Sequence, residues 1–108
     1  CVPSRWEGLG SIMIEAMALG ATVVAADIGP IRELDTSGSW IDFFTPNDST
    51  ALASVIIRRL RTGPEEDRHR AAIALYEKAY RSDQIASAMA AFFHNAVHAP
   101  LPARRRIT

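Results

Sequence analysis

The sequence is short of cysteine, of net charge and of long apolar runs. Cys1 is its only cysteine, which excludes an intrachain disulfide and leaves the redox compartment open. Twelve basic and twelve acidic residues cancel, which argues against a broad electrostatic attraction to nucleic acid. No apolar run approaches the ~20 residues of a membrane span. We expect a cytoplasmic protein, free or peripheral at the inner membrane face, with no nucleic-acid partner.

The size and composition of the chain are those of one small globular domain. It has 108 residues, of which 48% are apolar and 22% are charged. It opens with Cys rather than Met, in the middle of a motif, so we expect a piece of a longer protein. We place the domain at residues 1–98 and a disordered basic tail at 99–108, where three arginines are more typical of a solvated end than of a phosphate site.

Two glutamates flank a glycine turn that opens an almost wholly apolar helix. Gly8 and Gly10 each cost about 1 kcal/mol inside a helix, so the helix is predicted to begin near Ser11, with Ser11 as its N-cap. Glu7 then lies in the loop before the helix. The free N–H groups and the positive dipole at this helix start favour an anion, above all a phosphate.

Glu15 is the one polar residue within this helix. Positions 12–14 and 16–19 are all apolar, which predicts a helix buried on most sides. A capping box from Ser11 would need Glu at position 14, which is Ile14, so capping does not explain Glu15. Glu15 therefore either lies on one solvated edge of the helix or faces a polar ligand. The same two interpretations apply to Glu7, because loop carboxylates are often only solvated.

The remaining sequence predicts an α/β fold with a short parallel sheet of at most three strands. A strand end at 1–3 and apolar runs at 22–26 and 40–44 are typical of buried parallel strands. A short helix begins at Pro30 and ends near Leu34. Three long helices follow; the first is capped by Asp48 or Ser49 and ends near Arg61, the second begins at Pro64 and ends near Tyr80, and the third is capped by Ser82 or Asp83 and ends near His98.

Each long helix has an apolar stripe that predicts its buried face. These stripes comprise Ala51, Leu52, Val55, Ile56 and Leu60, then Ala72, Leu75, Tyr76 and Ala79, and finally Ile85, Met89, Phe92, Phe93 and Val97.

The spacing of Glu7 and Glu15, with Gly8, Gly10 and Gly20 around them, resembles the nucleotide-sugar signature of retaining GT-B glycosyltransferases (group 1, family 4 type). The resemblance covers about residues 1–95 and continues through the strand at 22–26, the segment 29–34 and the turn at 45–48. It implies the C-terminal half of a GT-B donor-binding domain, which is a partial Rossmann-like fold with flanking helices and a helical C-terminus.

The resemblance also implies roles for the signature residues. The residue matching Glu7 lies against the donor sugar, and the one matching Glu15 holds the ribose hydroxyls of the nucleotide. The backbone of the loop takes sugar hydroxyls and the diphosphate, at positions matching Gly8, Leu9, Gly10, Ser11 and Ile12. No metal or cofactor is implied, and the sequence has no Asp-x-Asp and no His/Cys cluster with ligand spacing.

The implied activity is sugar transfer from a nucleotide-diphosphate sugar to an unknown acceptor (glycan, lipid or small molecule), with retention. The acceptor surface of such an enzyme belongs to an N-terminal domain of the same chain, so we expect the isolated segment to be inactive. Pro30 replaces one of the paired glycines usual in the family, which removes an N–H donor. The alternatives are another GT-B enzyme, such as a glycogen synthase or phosphorylase relative, and a non-catalytic α/β interaction module.

Four further side chains are weaker candidates. His94 and His98 are one helical turn apart, but without a third ligand they are predicted to be surface histidines. Trp6 is expected to be a packing residue rather than a sugar platform. Glu33 is either a solvated residue or, by the resemblance, a neighbour of the donor pocket.

Overall fold

The computed structural model describes residues 1–99, which form an α/β fold. The predicted basic tail lies outside the described residues, apart from Ala99. The elements in chain order are α1 (Ser11–Ala18), β1 (Val23–Ala26), α2 (Gly29–Leu34), β2 (Ile41–Phe44), α3 (Ser49–Thr62), α4 (Glu66–Ala79) and α5 (Ser82–His98).

A parallel sheet forms the centre of the fold, as predicted. β1 pairs with β2 in the register Val23–Ile41 to Ala26–Phe44. The segment at Val2 adds a single parallel bridge on the other side of β1. Its N–H donates to Val24 O at 2.8 Å, and its carbonyl accepts from Ala26 N at 3.0 Å. β1 therefore lies between Val2 and β2, and both predicted apolar runs are strands that are one residue shorter than expected.

Alternate residues of β1 define the two faces of the sheet, because side chains alternate along a strand. Val23 and Ala25 face a cluster with Met13, Met17, Ile31, Leu34, Trp40 and Ala72, which come from or lie beside α1, α2 and α4. Val24 and Ala26 face α3 through Ala51, Leu52, Val55 and Ile56. Helices thus cover both faces of the sheet, which explains why all four residues of β1 are buried.

α1 begins at Ser11, as predicted, but its N-cap differs from the sequence prediction. Gly10, not Ser11, is the N-cap, and its backbone is left-handed with φ 67°. Ser11 is the first helical residue. A left-handed N-cap is strained for residues with a Cβ, so a glycine makes this entry possible where a serine cap would need extended backbone.

α1 ends as predicted, with Gly20 at its C′ position. Gly20 has φ 60°, its N–H bonds to Met17 O at 3.0 Å, and the Ala21 N–H bonds to Ala16 O at 2.9 Å. This pair of bonds is a Schellman motif, which satisfies two carbonyls at the helix end.

α1 is less buried than its composition predicted. Met13 and Met17 are fully buried, whereas Ile12 and Leu19 are exposed. Trp6 is 84% exposed, so the expectation of a packing residue was wrong. The apolar residues of α1 are only partly buried because the helix contacts the sheet and α4 with one side. Residues 1–99 place no element over its other side.

The long helices agree with the sequence in number but not in every boundary. Asp48 caps α3 as predicted, accepting from Ala51 N at 2.8 Å. α4 begins at Glu66 rather than Pro64, with Glu65 as its N-cap. α5 begins at Ser82, but its N-cap is Arg81, and no side chain in the described part of the protein caps it. The predicted Ser82 or Asp83 cap was therefore wrong.

The apolar stripe predicted for α5 is not buried. Ile85, Met89, Phe92, Phe93 and Val97 are all exposed. Leu60 of α3 and Ala79 of α4 are exposed as well. The pattern correctly marked an amphipathic helix, but α5 extends away from the sheet and touches the described fold mainly through α4.

Two buried carboxylates tie the elements together. Asp35 accepts the N–H groups of Ser39, Trp40 and Ile41 at 2.8–2.9 Å, which closes the turn between α2 and β2. Asp42 of β2 pairs with Arg59 of α3, with Nε to Oδ2 at 2.7 Å. Both acids are less than a tenth exposed, so these bonds supply the partners that a buried charge requires.

Candidate functional site

The candidate site lies at the carboxyl edge of the parallel sheet, where the loop after each strand emerges. Residues 3–10 follow the Val2 bridge, Asp27 follows β1, and Thr45 follows β2. In open α/β sheets this edge is the usual place for a ligand. The predicted signature loop is therefore where the fold can hold a bound molecule.

Glu7 is in the loop before α1, as predicted. Its side chain is half-buried, while Trp6, Gly8 and Leu9 around it are exposed. The Ser4 hydroxyl donates to Glu7 Oε1 at 2.6 Å. The carboxylate is thus held in one place at the edge of an accessible loop, a position from which it can accept hydrogen bonds from a ligand.

The start of α1 presents backbone N–H groups beside this loop. The first bond at the helix start runs from Met13 N to Gly10 O at 2.8 Å, so the amides of Ser11 and Ile12 precede it. A Cβ on Gly10 would lie 3.3 Å from Met13 Cγ, in addition to the strain of its positive φ. Gly10 therefore lets the loop turn tightly into the helix, whose N-terminal amides and dipole suit an anion.

Glu15 lies on the exposed side of α1. It lines an open cavity of about 310 Å³ together with Ile12, Leu19, Val2 and Thr22. Larger cavities lie elsewhere, about 590 Å³ between α4 and α5 and about 550 Å³ on α3, and neither includes a signature glutamate. The exposure of Glu15 is compatible with both interpretations, a solvated edge of the helix and a contact with a polar ligand. Its position beside an open cavity leaves it accessible to a ligand.

Sequence reasoning missed an ion pair at the same edge of the sheet. Arg32 Nε donates to Asp27 Oδ1 at 2.8 Å, and the guanidinium lies 3.8 Å above the ring of Phe43. The hydrogen bond to Asp27 raises the pKa of Arg32 above its usual value. Glu33, the weaker donor candidate, is exposed next to this pair. The sequence spacing of Asp27 and Arg32 did not predict this ion pair, because the pair depends on where α2 places Arg32 relative to the end of β1.

His69 lies apart from the neighbouring pair His94 and His98. His69 forms a 3.1 Å hydrogen bond with Thr22, between α4 and the start of β1. His94 and His98 are exposed on α5, with ring centroids 4.5 Å apart. Within residues 1–99, no group of three His, Cys, Asp or Glu side chains has the geometry of a metal site.

The sequence model of the family described as glycosyl transferases group 1 matches residues 1–82. The chain belongs to this family. The match spans the loop, both strands and helices α1 to α4, which include the elements that build the carboxyl edge of the sheet.

Two curated proteins to which the chain is similar are named as mannosyltransferases. The lipopolysaccharide core biosynthesis mannosyltransferase LpsB of Rhizobium meliloti is 57% identical over 37 residues, which are 34% of this chain and 10% of that protein. A phosphatidyl-myo-inositol mannosyltransferase of Mycobacterium leprae is 33% identical over 88 residues, 81% of this chain. The chain spans about a quarter of that relative's length.

A solved structure shows the same fold. Sucrose-phosphate synthase from Thermosynechococcus elongatus superposes with a TM-score of 0.79 and 26% identity, over 91% of this chain and 25% of that one. The group 1 glycosyltransferase assignment and the partial Rossmann-like fold predicted from the signature are therefore confirmed. Across residues 1–99, none of the helices has the length and apolar character to cross a bilayer.

Proposed function

We propose that this chain supplies the donor-binding half of a glycosyltransferase, which moves a sugar from a nucleotide-diphosphate sugar to an acceptor with retention and without a metal ion. The observation that supports this most directly is the loop of Glu7, held at the carboxyl edge of the sheet beside the N-terminus of α1 in a chain of the group 1 family. A carboxylate and free amides side by side fit a ligand that joins sugar hydroxyls to a diphosphate.

In this proposal Glu7 is the catalytic carboxylate against the donor sugar. The backbone of Gly8, Leu9, Gly10, Ser11 and Ile12 binds sugar hydroxyls and the diphosphate. Charge builds up on the leaving diphosphate during transfer, and amides already fixed in a helix start stabilise it without reorganising. The glycines at 8 and 10 support this role, because a backbone without Cβ atoms can approach the donor closely.

Glu15 is proposed to hold the ribose of the donor nucleotide. A carboxylate accepts two hydroxyl donors at once, which suits a vicinal diol. The exposed position of Glu15 on α1 supports this role, since a ligand can reach it from the adjacent cavity.

The acceptor is proposed to be a glycan, a lipid or a small molecule. The relatives' names point to different acceptors, a lipopolysaccharide core in one and phosphatidyl-myo-inositol in the other. The acceptor surface is proposed to belong to a further, N-terminal part of the protein, which agrees with a chain that spans about a quarter of its relatives' length.

The experiment is a titration of UDP and GDP against three variants of the active enzyme that contains this chain. Glu15→Ala should weaken nucleotide binding by about 1.5–3 kcal/mol, because a hydrogen bond to a charged group is lost. Glu15→Gln should lose less, since the amide keeps one acceptor and the shape. Glu66→Ala is the matched control, because Glu66 is an exposed glutamate in the first turn of α4.

An unchanged dissociation constant for Glu15→Ala would remove Glu15 from the ribose site. Absence of any nucleotide or nucleotide-sugar binding by the wild-type enzyme would favour the interaction-module alternative instead.

A further inference from the structure

Among residues 1–99, a single side-chain hydrogen bond involves the loop that holds Glu7. Ser4 Oγ donates to Glu7 Oε1 at 2.6 Å. Within residues 1–99, no backbone hydrogen bond fixes residues 4–9. The conformation of the loop therefore depends on its two ends and on this side-chain bond.

Ser4 is well placed to act as an anchor. It lies two residues after Val2, whose N–H and carbonyl both bond to β1. Pro3 stands between them and fixes its own φ, so little freedom separates Ser4 from the sheet. A hydroxyl attached so closely to the sheet can hold the more distant carboxylate of Glu7 in one orientation.

We propose that Ser4 is a positioning residue for sugar transfer, which orients the Glu7 carboxylate toward the donor sugar. This inference rests on the proposed function, since it needs Glu7 to face the donor. A free glutamate side chain rotates about three bonds, and a loop glutamate without a partner would sample many orientations. The bond to Oε1 removes that freedom and leaves Oε2 free to accept from the ligand.

The test compares Ser4→Ala and Ser4→Thr in the active enzyme. Ser4→Ala should lower kcat by about tenfold, the loss expected for a hydrogen bond to a charged group, while the KM for the donor changes much less. Ser4→Thr keeps the hydroxyl and should restore most of kcat. Ser54→Ala is the control, because within residues 1–99 the Ser54 hydroxyl bonds only the Thr50 carbonyl in its own helix.

A double-mutant cycle separates positioning from a general effect on the loop. In a Glu7→Gln background, Ser4→Ala should lower kcat by less than about twofold, because the carboxylate that Ser4 orients is gone. An equal loss in both backgrounds, or a Ser4→Thr variant as impaired as Ser4→Ala, would overturn the positioning role. If Glu7→Gln leaves too little turnover for the cycle, the comparison of Ser4→Thr with Ser4→Ala decides. Recovery of most of kcat by Ser4→Thr supports the role of Ser4, and equal impairment of the two variants overturns it.

The two proposals fail in different ways. Full activity in Glu7→Gln would remove Glu7 from catalysis, and with it the reason for orienting it. If Glu7→Gln lowers kcat and Ser4→Ala does not, the role of Ser4 is overturned and the proposed function still holds.

Discussion

Gly20 follows α1 and lies against α4, and replacing it tests how tightly the signature helix is packed. A Cβ at this position would lie 2.9 Å from Ile73 Cδ1 and 3.3 Å from Ile73 Cγ1. It would also lie 3.5 Å from the Cβ of His69. Gly20 has φ 60° as well, so Gly20→Ala combines backbone strain with a collision.

The magnitude follows from these two contributions. Left-handed backbone costs a residue with a Cβ about 1–2 kcal/mol. Forcing an extra carbon into a packed contact costs about 1–3 kcal/mol. Ile73 is 39% exposed, so its terminal methyl can move partly aside, and the collision should fall at the low end of that range. We expect Gly20→Ala to lower the free energy of unfolding by about 2–4 kcal/mol in total.

The assay is urea unfolding followed by circular dichroism, with Gly38→Ala as the matched control. Gly38 has φ 67°, but a Cβ there would meet nothing within 4 Å. Gly38→Ala therefore reports the backbone strain alone, about 1–2 kcal/mol. The double variant Gly20→Ala, Ile73→Val lacks the atom at 2.9 Å. Its loss in the free energy of unfolding should be about 1 kcal/mol smaller than the sum of the losses in the two single variants.

Equal destabilisation by Gly20→Ala and Gly38→Ala would refute this reasoning, because it would mean that Ile73 and His69 of α4 move aside without a loss of stability. A lack of recovery in the Ile73→Val double variant would lead to the same conclusion.

Two buried carboxylates provide the remaining predictions. Asp35→Ala should lower the free energy of unfolding by about 2–4 kcal/mol, because it strands N–H groups that are bonded at 2.8–2.9 Å. Burial alone raises the pKa of Asp35, but the N–H groups of Ile41, Trp40 and Ser39 outweigh it and lower the pKa. The stabilisation is thus complete above the ordinary value of about 3.9 and is lost as the pH falls through the lowered pKa, so the gap between wild type and Asp35→Ala should narrow below about pH 4 in urea titrations. Asp42→Asn should cost about 2–4 kcal/mol in the same assay, because three arginines surround this buried acid.

The control for both acids is Asp67→Asn, which breaks an exposed pair with Arg70. Exposed pairs contribute about 0–1 kcal/mol, so this change should be small. A cost for Asp35→Ala that stays constant down to about pH 2, or an Asp42→Asn variant as stable as Asp67→Asn, would contradict the assigned contacts.

The features that sequence could predict are those set by neighbouring residues. The Asp48 cap, the Gly20 helix end and the two apolar strands each depend on residues within about four positions. The loop position of Glu7 could be predicted for the same reason, since Gly8 and Gly10 exclude a helix there. These local signals were enough to give the fold class and the loop in which Glu7 lies.

The features that sequence missed depend on distant contacts. Asp42 and Arg59 are 17 positions apart, and neither residue type signals its partner. The stripe of α5 predicted an apolar face correctly, but its burial depends on what lies opposite the helix. The choice of Gly10 over Ser11 as N-cap depends on a positive φ, which composition allows but does not dictate.

The burial of Met13 and Met17 has a chemical consequence for the protein. Both thioethers are fully buried, whereas Met89 on α5 is 53% exposed. Oxidants convert an accessible methionine to its sulfoxide, and a buried one only when the structure around it opens. Peroxide should therefore modify Met89 first, and the later appearance of sulfoxide at Met13 and Met17 would measure how often α1 separates from the sheet.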